Sequence, residues 1–162
     1  MQDIFESGEL TNLVGIKPFY LNKFMERSLY GIRPSVRQGK VRQRRSLFNR
    51  EDVFGVALVW WLFESGLRPL AIQFVLSQID RSRAAKANSA ASKLLTQKAQ
   101  FLVISREPRS TDNHEAKHPK QGVQVADRSQ VVRMITAESA ASMLVIPVGK
   151  LYSALTKRIG AS

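Results

Sequence analysis

The sequence predicts an α+β fold with a mainly helical N-terminal domain (residues 1–79), a connecting or dimerisation helix (residues 80–98) and a small C-terminal α+β unit (residues 99–162). Three observations support this prediction. Apolar residues recur at helical spacing through the first half of the chain. An alanine- and lysine-rich stretch without proline or glycine follows it. Short apolar, strand-like runs then alternate with helical patterns towards the C-terminus.

Composition limits the possible functions. The 162 residues are 44% hydrophobic, and 25 Lys and Arg against 13 Asp and Glu give a formal net charge of +12. This length supports one good core or two small ones, not a large multidomain enzyme. The charge favours a nucleic acid or an anionic surface as partner. Without cysteine, disulfides, thiolate metal sites and cysteine nucleophiles are excluded.

Two short helices joined by a tight turn are predicted in residues 7–30. Leu10, Leu13 and Val14 have helical spacing, Gly15 interrupts the pattern, and Pro18 suits the first turn of a second helix.

The second helix is a candidate recognition helix, because its polar side chains can donate hydrogen bonds to phosphates and base edges. These side chains are Tyr20, Asn22, Lys23 and Arg27, and the apolar positions expected beside them are Phe19, Leu21, Phe24 and Met25. The alternative is an ordinary amphipathic helix with a solvated polar face.

A basic stretch, "IRPSVRQGKVRQRRSLFNRED" at residues 32–52, follows this helix. Val36 and Val41 favour strands and Gly39 lies where a hairpin would turn, so two short strands would form a wing. Solvated surface is the alternative. However, the cations are nearly all arginine and lie between folded elements, which favours a polyanion-binding device. They are Arg33, Arg37, Lys40, Arg42, Arg44, Arg45 and Arg50.

A third helix is predicted after the basic stretch. Asn49 is a plausible N-cap, and Glu51 and Asp52 favour a helix N-terminus. A buried stripe is expected at Val53, Val56, Ala57, Trp60 and Trp61. The tryptophans are therefore interpreted as core residues and not as a ligand site.

In their order and spacing, "LTNLVGIKPFYLNKFMERSLYGIRPSVRQGK" and "RRSLFNREDVFGVALVWWLFESGLRPLAIQFVL" resemble the DNA-binding domain of the MerR family of transcriptional regulators. The resemblance covers residues 10–79. It implies a winged helix-turn-helix that binds double-stranded DNA as a homodimer on inverted repeats. The candidate DNA-binding residues are Lys17, Tyr20, Asn22, Lys23, Arg27, Arg33, Arg37, Lys40, Arg42, Arg44 and Arg45. Lys23 and Phe24 replace the family's consecutive aromatic residues, so base preference does not transfer.

Residues 80–98 favour helix by composition. The resemblance implies a dimerisation helix here, but a strong coiled coil would show sustained apolar heptads, and in this segment only Leu94 and Leu95 stand out. A short connecting helix is therefore an equal alternative.

The C-terminal unit is predicted to contain strands at residues 101–107 and 123–127, a strand at residues 145–148 and a closing helix. The segment between the second and third strands fits either a strand or a helix, and a helix beginning near Ser129 is favoured. Leu151, Leu155 and Ile159 would align on one face of the closing helix. No phosphate-binding glycine loop or paired carboxylates placed for acid–base work occur here, so neither an enzyme nor a cofactor is predicted.

A polar loop in this unit contains two histidines. His114 and His118, with Asp112 and Glu115, suggest a metal site on paper, but the surrounding residues are typical of a surface loop. No metal site is predicted.

The sequence therefore favours a sequence-specific DNA-binding transcriptional regulator acting as a homodimer, with an unidentified small-molecule effector left open. The alternative is an architectural, nucleoid-associated protein that binds DNA with little sequence preference. The longest apolar run is too short to span a bilayer, so no membrane partner is expected. We expect a cytoplasmic location at the nucleoid.

Overall fold

The computed structural model describes residues 4–26, 29–38, 45–82, 85–106, 121–136 and 142–161. These residues form α-helices and two three-stranded antiparallel sheets, which confirms the α+β class. The elements are β1 Ile4–Glu6, α1 Ser7–Val14, α2 Pro18–Glu26, β2 Val36–Gln38, β3 Arg45–Asn49, α3 Arg50–Glu64, α4 Pro69–Asp80, α5 Ala87–Thr96, β4 Phe101–Arg106, β5 Gln121–Ala126, α6 Arg128–Thr136, β6 Ser142–Ile146 and α7 Val148–Gly160. A 3-10 turn, Leu29–Gly31, follows α2.

The two helices predicted near the N-terminus are confirmed as α1 and α2. Gly15 ends α1 in the left-handed conformation, with φ 79°, and its N–H donates to the carbonyl of Thr11 at 2.9 Å. Glycine reaches this conformation without the steric cost that other residues pay. Pro18 opens α2 as expected.

The first sheet has the order β1-β3-β2. β2 and β3 form an antiparallel pair in which Val36 lies opposite Leu47 and Gln38 opposite Arg45. The connection between them, with Gly39 and Val41, lies outside the described residues. β1 was not predicted from the sequence, because three residues carry too little alternation to indicate a strand.

Helix α3 lies at the centre of the core. The sequence predicted one buried stripe, but residues 52–60 and Leu62 are all buried and Trp61 is half-buried. The predicted stripe is narrower than the observed buried surface because α1, α4, α5 and β3 pack around the helix from different sides. A helix that is apolar on all sides is stable only when it is surrounded in this way.

Helix α5 packs its alanine-rich face, Ala87, Ala90, Ala91 and Leu94, into the core. It is tied to α4 by Asp80, which accepts a hydrogen bond from Ser89 Oγ at 2.7 Å and lies 2.9 Å from Lys93 Nζ. Partial burial alone would raise the pKa of Asp80, but the bonds from Lys93 and Ser89 hold it below its usual value. Pairing of α5 with a second chain stays a prediction.

The second sheet has the order β5-β4-β6 and carries α6 and α7. The predicted strands at 101–107 and 123–127, the helix near Ser129 and the closing helix are confirmed as β4, β5, α6 and α7. The last strand differs from its prediction, because it spans residues 142–146 and Val148 already begins α7. Pro147 lies between them, and a residue without an N–H cannot extend the ladder.

The main cluster of buried residues runs along the chain from Phe5 to Ile159. One face of the second sheet, including Leu102, Ile104 and Ile146, joins it, so the predicted N-terminal domain and C-terminal unit contribute to the same core. A smaller cluster lies on the other face beneath α6. The domain boundaries themselves stay a prediction. None of the helices within the described ranges is long and apolar enough to cross a membrane.

We predict that Gly55→Ala destabilises the protein by about 1–3 kcal/mol. A Cβ at this position would lie 2.6 Å from the backbone nitrogen and 2.8 Å from the Cα of Asn88, where α5 crosses α3. Urea unfolding followed by circular dichroism measures the change in the free energy of unfolding.

Gly8→Ala is the matched control, because a Cβ on this helical glycine meets nothing within 4 Å. It should leave stability unchanged or raise it by up to about 1 kcal/mol. Equal effects of the two substitutions would contradict the close approach of α3 and α5.

Candidate nucleic-acid interface

Helix α2 divides into an inner and an outer face. Leu21 and Phe24 are buried in the core, and Tyr20 and Met25 are half-buried against it. Residues three and four positions apart share a helix face, and four such residues form the exposed outer face. We call this set the outer face of α2: Phe19, Asn22, Lys23 and Glu26.

Tyr20 belongs mainly to the inner side. Its ring centroid lies 5.3 Å from that of Trp60 and 5.3 Å from that of Phe63. Phe24 also meets Phe63, at 6.3 Å between ring centroids. These aromatic contacts anchor α2 on the central helix α3, so Tyr20 holds the helix in place with most of its ring turned away from the outer face.

Phe19 was named among the apolar positions of this helix, but it does not face the core as Leu21 and Phe24 do. Its side chain is 61% exposed. At about 100° of rotation per residue, Phe19 lies on the opposite side of the helix from Leu21. The Lys23 Nζ lies 4.8 Å from the centroid of its ring, which is a cation–π contact. The outer face therefore carries an exposed aromatic group that the core does not use.

Glu26 was missed in the sequence analysis. It is exposed, four positions after Asn22 and three after Lys23. Helical spacing counted from Asn22 places Glu26 on the same face, but the sequence prediction considered only the residues that can donate hydrogen bonds to DNA. The outer face thus presents an apolar ring, an amide, an ammonium and a carboxylate.

Further predicted cations lie on both sides of α2. Lys17, just before the helix, and Arg33, after it, are exposed. Between α2 and Arg33 the chain turns through two left-handed residues, Tyr30 with φ 60° and Gly31 with φ 67°. Tyr30 packs edge-on against Phe24, with 5.6 Å between ring centroids, and burial raises the pKa of its hydroxyl. This buried turn directs the chain from α2 into the hairpin.

The predicted wing residues divide into two groups. Arg37 on β2 and Arg45 on β3 lie in the paired strands, opposite Ser46 and Gln38 respectively. Lys40, Arg42 and Arg44 of the wing lie outside the described residues, as does Arg27 of the predicted recognition helix. The described backbone therefore brings Arg37 and Arg45 into one hairpin, and the remaining wing assignments stay predictions.

Asp52 connects the hairpin to the core. Its side chain is buried, and its Oδ2 accepts hydrogen bonds from Ser35 Oγ and, at 3.1 Å, from the backbone N–H of Asn49. Its Oδ1 accepts from Asn88 Nδ2 at 3.3 Å. In return the backbone N–H of Asp52 donates to Asn49 Oδ1 at 2.8 Å, which confirms Asn49 as the N-cap of α3. The sequence indicated an acid favouring a helix start, whereas the structure shows a junction of several elements.

A hydrogen bond from the C-terminal unit reaches α1. Arg158 on α7 donates from Nη1 to the carbonyl of Leu13 at 3.1 Å. Leu13 lies in the last turn of α1, where carbonyls have no partner within the helix. The guanidinium therefore supports α1 from a residue 145 positions away.

Other candidate sites receive little support. Among the residues that the structure describes, no group of three or more His, Cys, Asp or Glu is placed to hold a metal ion, and His114 and His118 are outside them. An open groove between α3, α5 and α7 is lined by residues that include Arg50, Leu95 and Thr156. Nothing on its walls identifies a ligand.

No protein-family model matches this chain, and no curated protein matches it in sequence. The functional interpretation consequently depends on the residues and their placement.

We predict that Asp52→Ala lowers the free energy of unfolding by about 2–4 kcal/mol, because it leaves the donors of Ser35, Asn49 and Asn88 without their acceptor. Urea unfolding measures the stability change. Hydrogen exchange should show faster exchange at the β2–β3 backbone amides, since the root of the hairpin is no longer attached to the core.

Glu51→Ala is the matched control, because Glu51 is an exposed acid in the same first turn of α3. It should cost less than about 1 kcal/mol. If both variants lose equal stability, the effect comes from the charge at the helix start and not from the junction.

Proposed function

We propose that this protein is a sequence-specific DNA-binding transcriptional regulator that binds double-stranded DNA as a homodimer through α2 and the β2–β3 hairpin. The observation that carries the proposal is the outer face of α2, with its side chains exposed on a helix that aromatic contacts anchor to the core. The order α1, α2, hairpin, α3 and α4 supports the resemblance to MerR-family regulators.

The outer face has the chemistry needed to distinguish base pairs. An α-helix fits the major groove, where each base pair presents its own pattern of donors and acceptors. An asparagine amide pairs well with adenine, a lysine ammonium with guanine, and a carboxylate accepts from the cytosine amino group. Asn22, Lys23 and Glu26 are the residues that would make these contacts.

The surrounding cations supply affinity without sequence information. Lys17 and Arg33 are exposed on either side of α2, and the hairpin carries Arg37 and Arg45 on its strands. Cations that neutralise phosphates release condensed counterions, so affinity should fall steeply with salt. We assign positioning on the duplex to these residues and base readout to the outer face.

An architectural, nucleoid-associated role is the second candidate. The density of arginine between residues 33 and 45 favours it, since backbone contacts alone support non-specific binding. The presence of Glu26 favours the regulator, because an acid facing DNA weakens binding to phosphates at every sequence. A cytoplasmic location at the nucleoid belongs to the same proposal, and a small-molecule effector stays open.

The test of the proposed function is selection from a randomised duplex pool, with sequencing, at low and at physiological salt. A regulator should enrich an inverted repeat that survives the higher salt. Salt-sensitive binding without an enriched site would overturn the regulator in favour of the architectural role.

We predict that Arg42→Ala combined with Arg44→Ala weakens binding to operator and random duplexes by the same factor. The slope of log affinity against log salt concentration should fall in magnitude by about 2, or about 1 for each arginine that no longer neutralises a phosphate. Fluorescence anisotropy across a salt series measures both quantities.

Lys150→Ala serves as a charge control. Lys150 is exposed in the first turn of α7, about 12 Å along that helix from Arg158, the residue that contacts α1. Its substitution should leave the slope unchanged. An unchanged slope in the double arginine variant would remove the wing from the interface.

We predict that Asn22→Ala reduces the ratio of operator to random-duplex affinity by a factor corresponding to about 1–3 kcal/mol, with less effect on random DNA. Glu26→Gln should strengthen random-duplex binding, because it removes a charge that repels phosphates. It should also reduce the same ratio, because the carboxylate that accepts from the cytosine amino group is lost. Competition titrations give both affinities. If both variants keep the wild-type ratio, α2 does not read bases.

A further inference from the structure

We propose that Phe19 is a specificity-determining residue that reads thymine in the major groove by packing its ring against the thymine C5-methyl group. This inference rests on the proposed function and assigns a base to one position of the same surface. From the sequence Phe19 is only one of the apolar positions of α2, and its exposure is known from the structure.

The fold does not need this ring in its present position. Phe19 is 61% exposed, whereas the core side of α2 is filled by Leu21 and Phe24 at 1% and 4% exposure. An exposed phenyl ring leaves apolar area in water that burial would remove. Phe19 is the second residue of α2, and in recognition helices the N-terminal residues are those that contact base edges. Its position in the helix therefore also favours a role in recognition.

The ring is held in a defined orientation. Lys23 Nζ lies 4.8 Å from its centroid, and the Tyr20 ring meets it edge-on at 5.5 Å between centroids. Tyr20 is itself fixed between Trp60 and Phe63. A ring supported in this way loses little conformational freedom on binding, which favours its use in recognition.

Charge identifies the partner. The ring contacts the exposed cation Lys23, and Lys17 is exposed two positions earlier on a chain of net charge +12, so an anion is a better occupant than a second copy of the chain. Duplex DNA is such an anion. Among the base edges in its major groove, the thymine methyl is the apolar group, and phenylalanine is suited to contact it.

Stacking between bases is the competing mode for an exposed aromatic ring. Apolar wedges that unstack a duplex enter from the minor groove. The outer face of α2 also carries Asn22 and Glu26, whose groups suit the base edges of the major groove. The geometry therefore favours a methyl contact over insertion.

The test compares the binding of two proteins, the wild type and Phe19→Ala, to operators that carry thymine or deoxyuridine at each position. The operator recovered by selection is prepared with each thymine replaced in turn by deoxyuridine, which keeps its pairing edge and lacks only the methyl group. Wild type and Phe19→Ala are titrated against every duplex. We expect one position in each half-site where deoxyuridine weakens wild-type binding on the order of fourfold, as expected when one methyl group is no longer buried. At that position deoxyuridine should not weaken the binding of Phe19→Ala.

Two controls separate this contact from general effects. Phe19→Leu keeps an apolar side chain and should retain part of the sensitivity to deoxyuridine, while Lys17→Ala should weaken binding to every duplex by the same factor. Thermal unfolding checks that the Phe19 variants remain as stable as the wild type, as expected for an exposed side chain.

The outcomes distinguish the two proposals. If Phe19→Ala and wild type respond identically to deoxyuridine at every position, or if no thymine contributes, the methyl contact is overturned and the regulator stands. If selection enriches no site, the proposed function fails first and the assignment of Phe19 fails with it.

Discussion

The buried carboxylate of Asp52 is the constraint on which the arrangement of the candidate interface depends. A carboxylate inside a core is costly unless hydrogen bonds replace its hydration. Here Ser35, the N-cap Asn49 and Asn88 on α5 provide them. Each donor comes from a different segment, so satisfying one charge fixes the root of the hairpin, the start of α3 and the start of α5 together. A hairpin attached only by its own short ladder would be marginal in water.

The outer face of α2 is held by a different interaction, since aromatic rings connect the helix to α3. Tyr20 and Phe24 contact Phe63, and Tyr20 also contacts Trp60. Because α3 is buried on nearly all sides, it provides a rigid base for both the helix and the hairpin. Recognition elements supported by a packed core keep their geometry better than elements on free loops. The same helix thus explains the position of both parts of the candidate interface.

The sequence predicted the elements that carry a strong local signal. Gly15, Pro18 and Asn49 each act within one turn of the chain, so the ends of the first helices could be predicted from the residue alone. The exposure of Phe19 follows from its helical angle relative to Leu21 and not from its apolar character, whereas Glu26 was missed because the prediction considered only the hydrogen-bond donors of this face. The role of Asp52 could not be predicted, since Asn88 lies 36 positions away and no local pattern connects them.

Glu26 bears most directly on the choice between the two functions. In a chain of net charge +12, non-specific attraction to DNA would already be strong, and an architectural protein would gain nothing from an acid among its contacts. A regulator would gain from it, because specificity depends on the difference in binding free energy between the operator and other sites and not on total affinity. A carboxylate that weakens every phosphate contact but accepts a hydrogen bond at the correct base pair lowers affinity and raises that difference. The exposed acid beside Asn22 and Lys23 therefore supports the proposal that α2 reads DNA sequence over the architectural alternative.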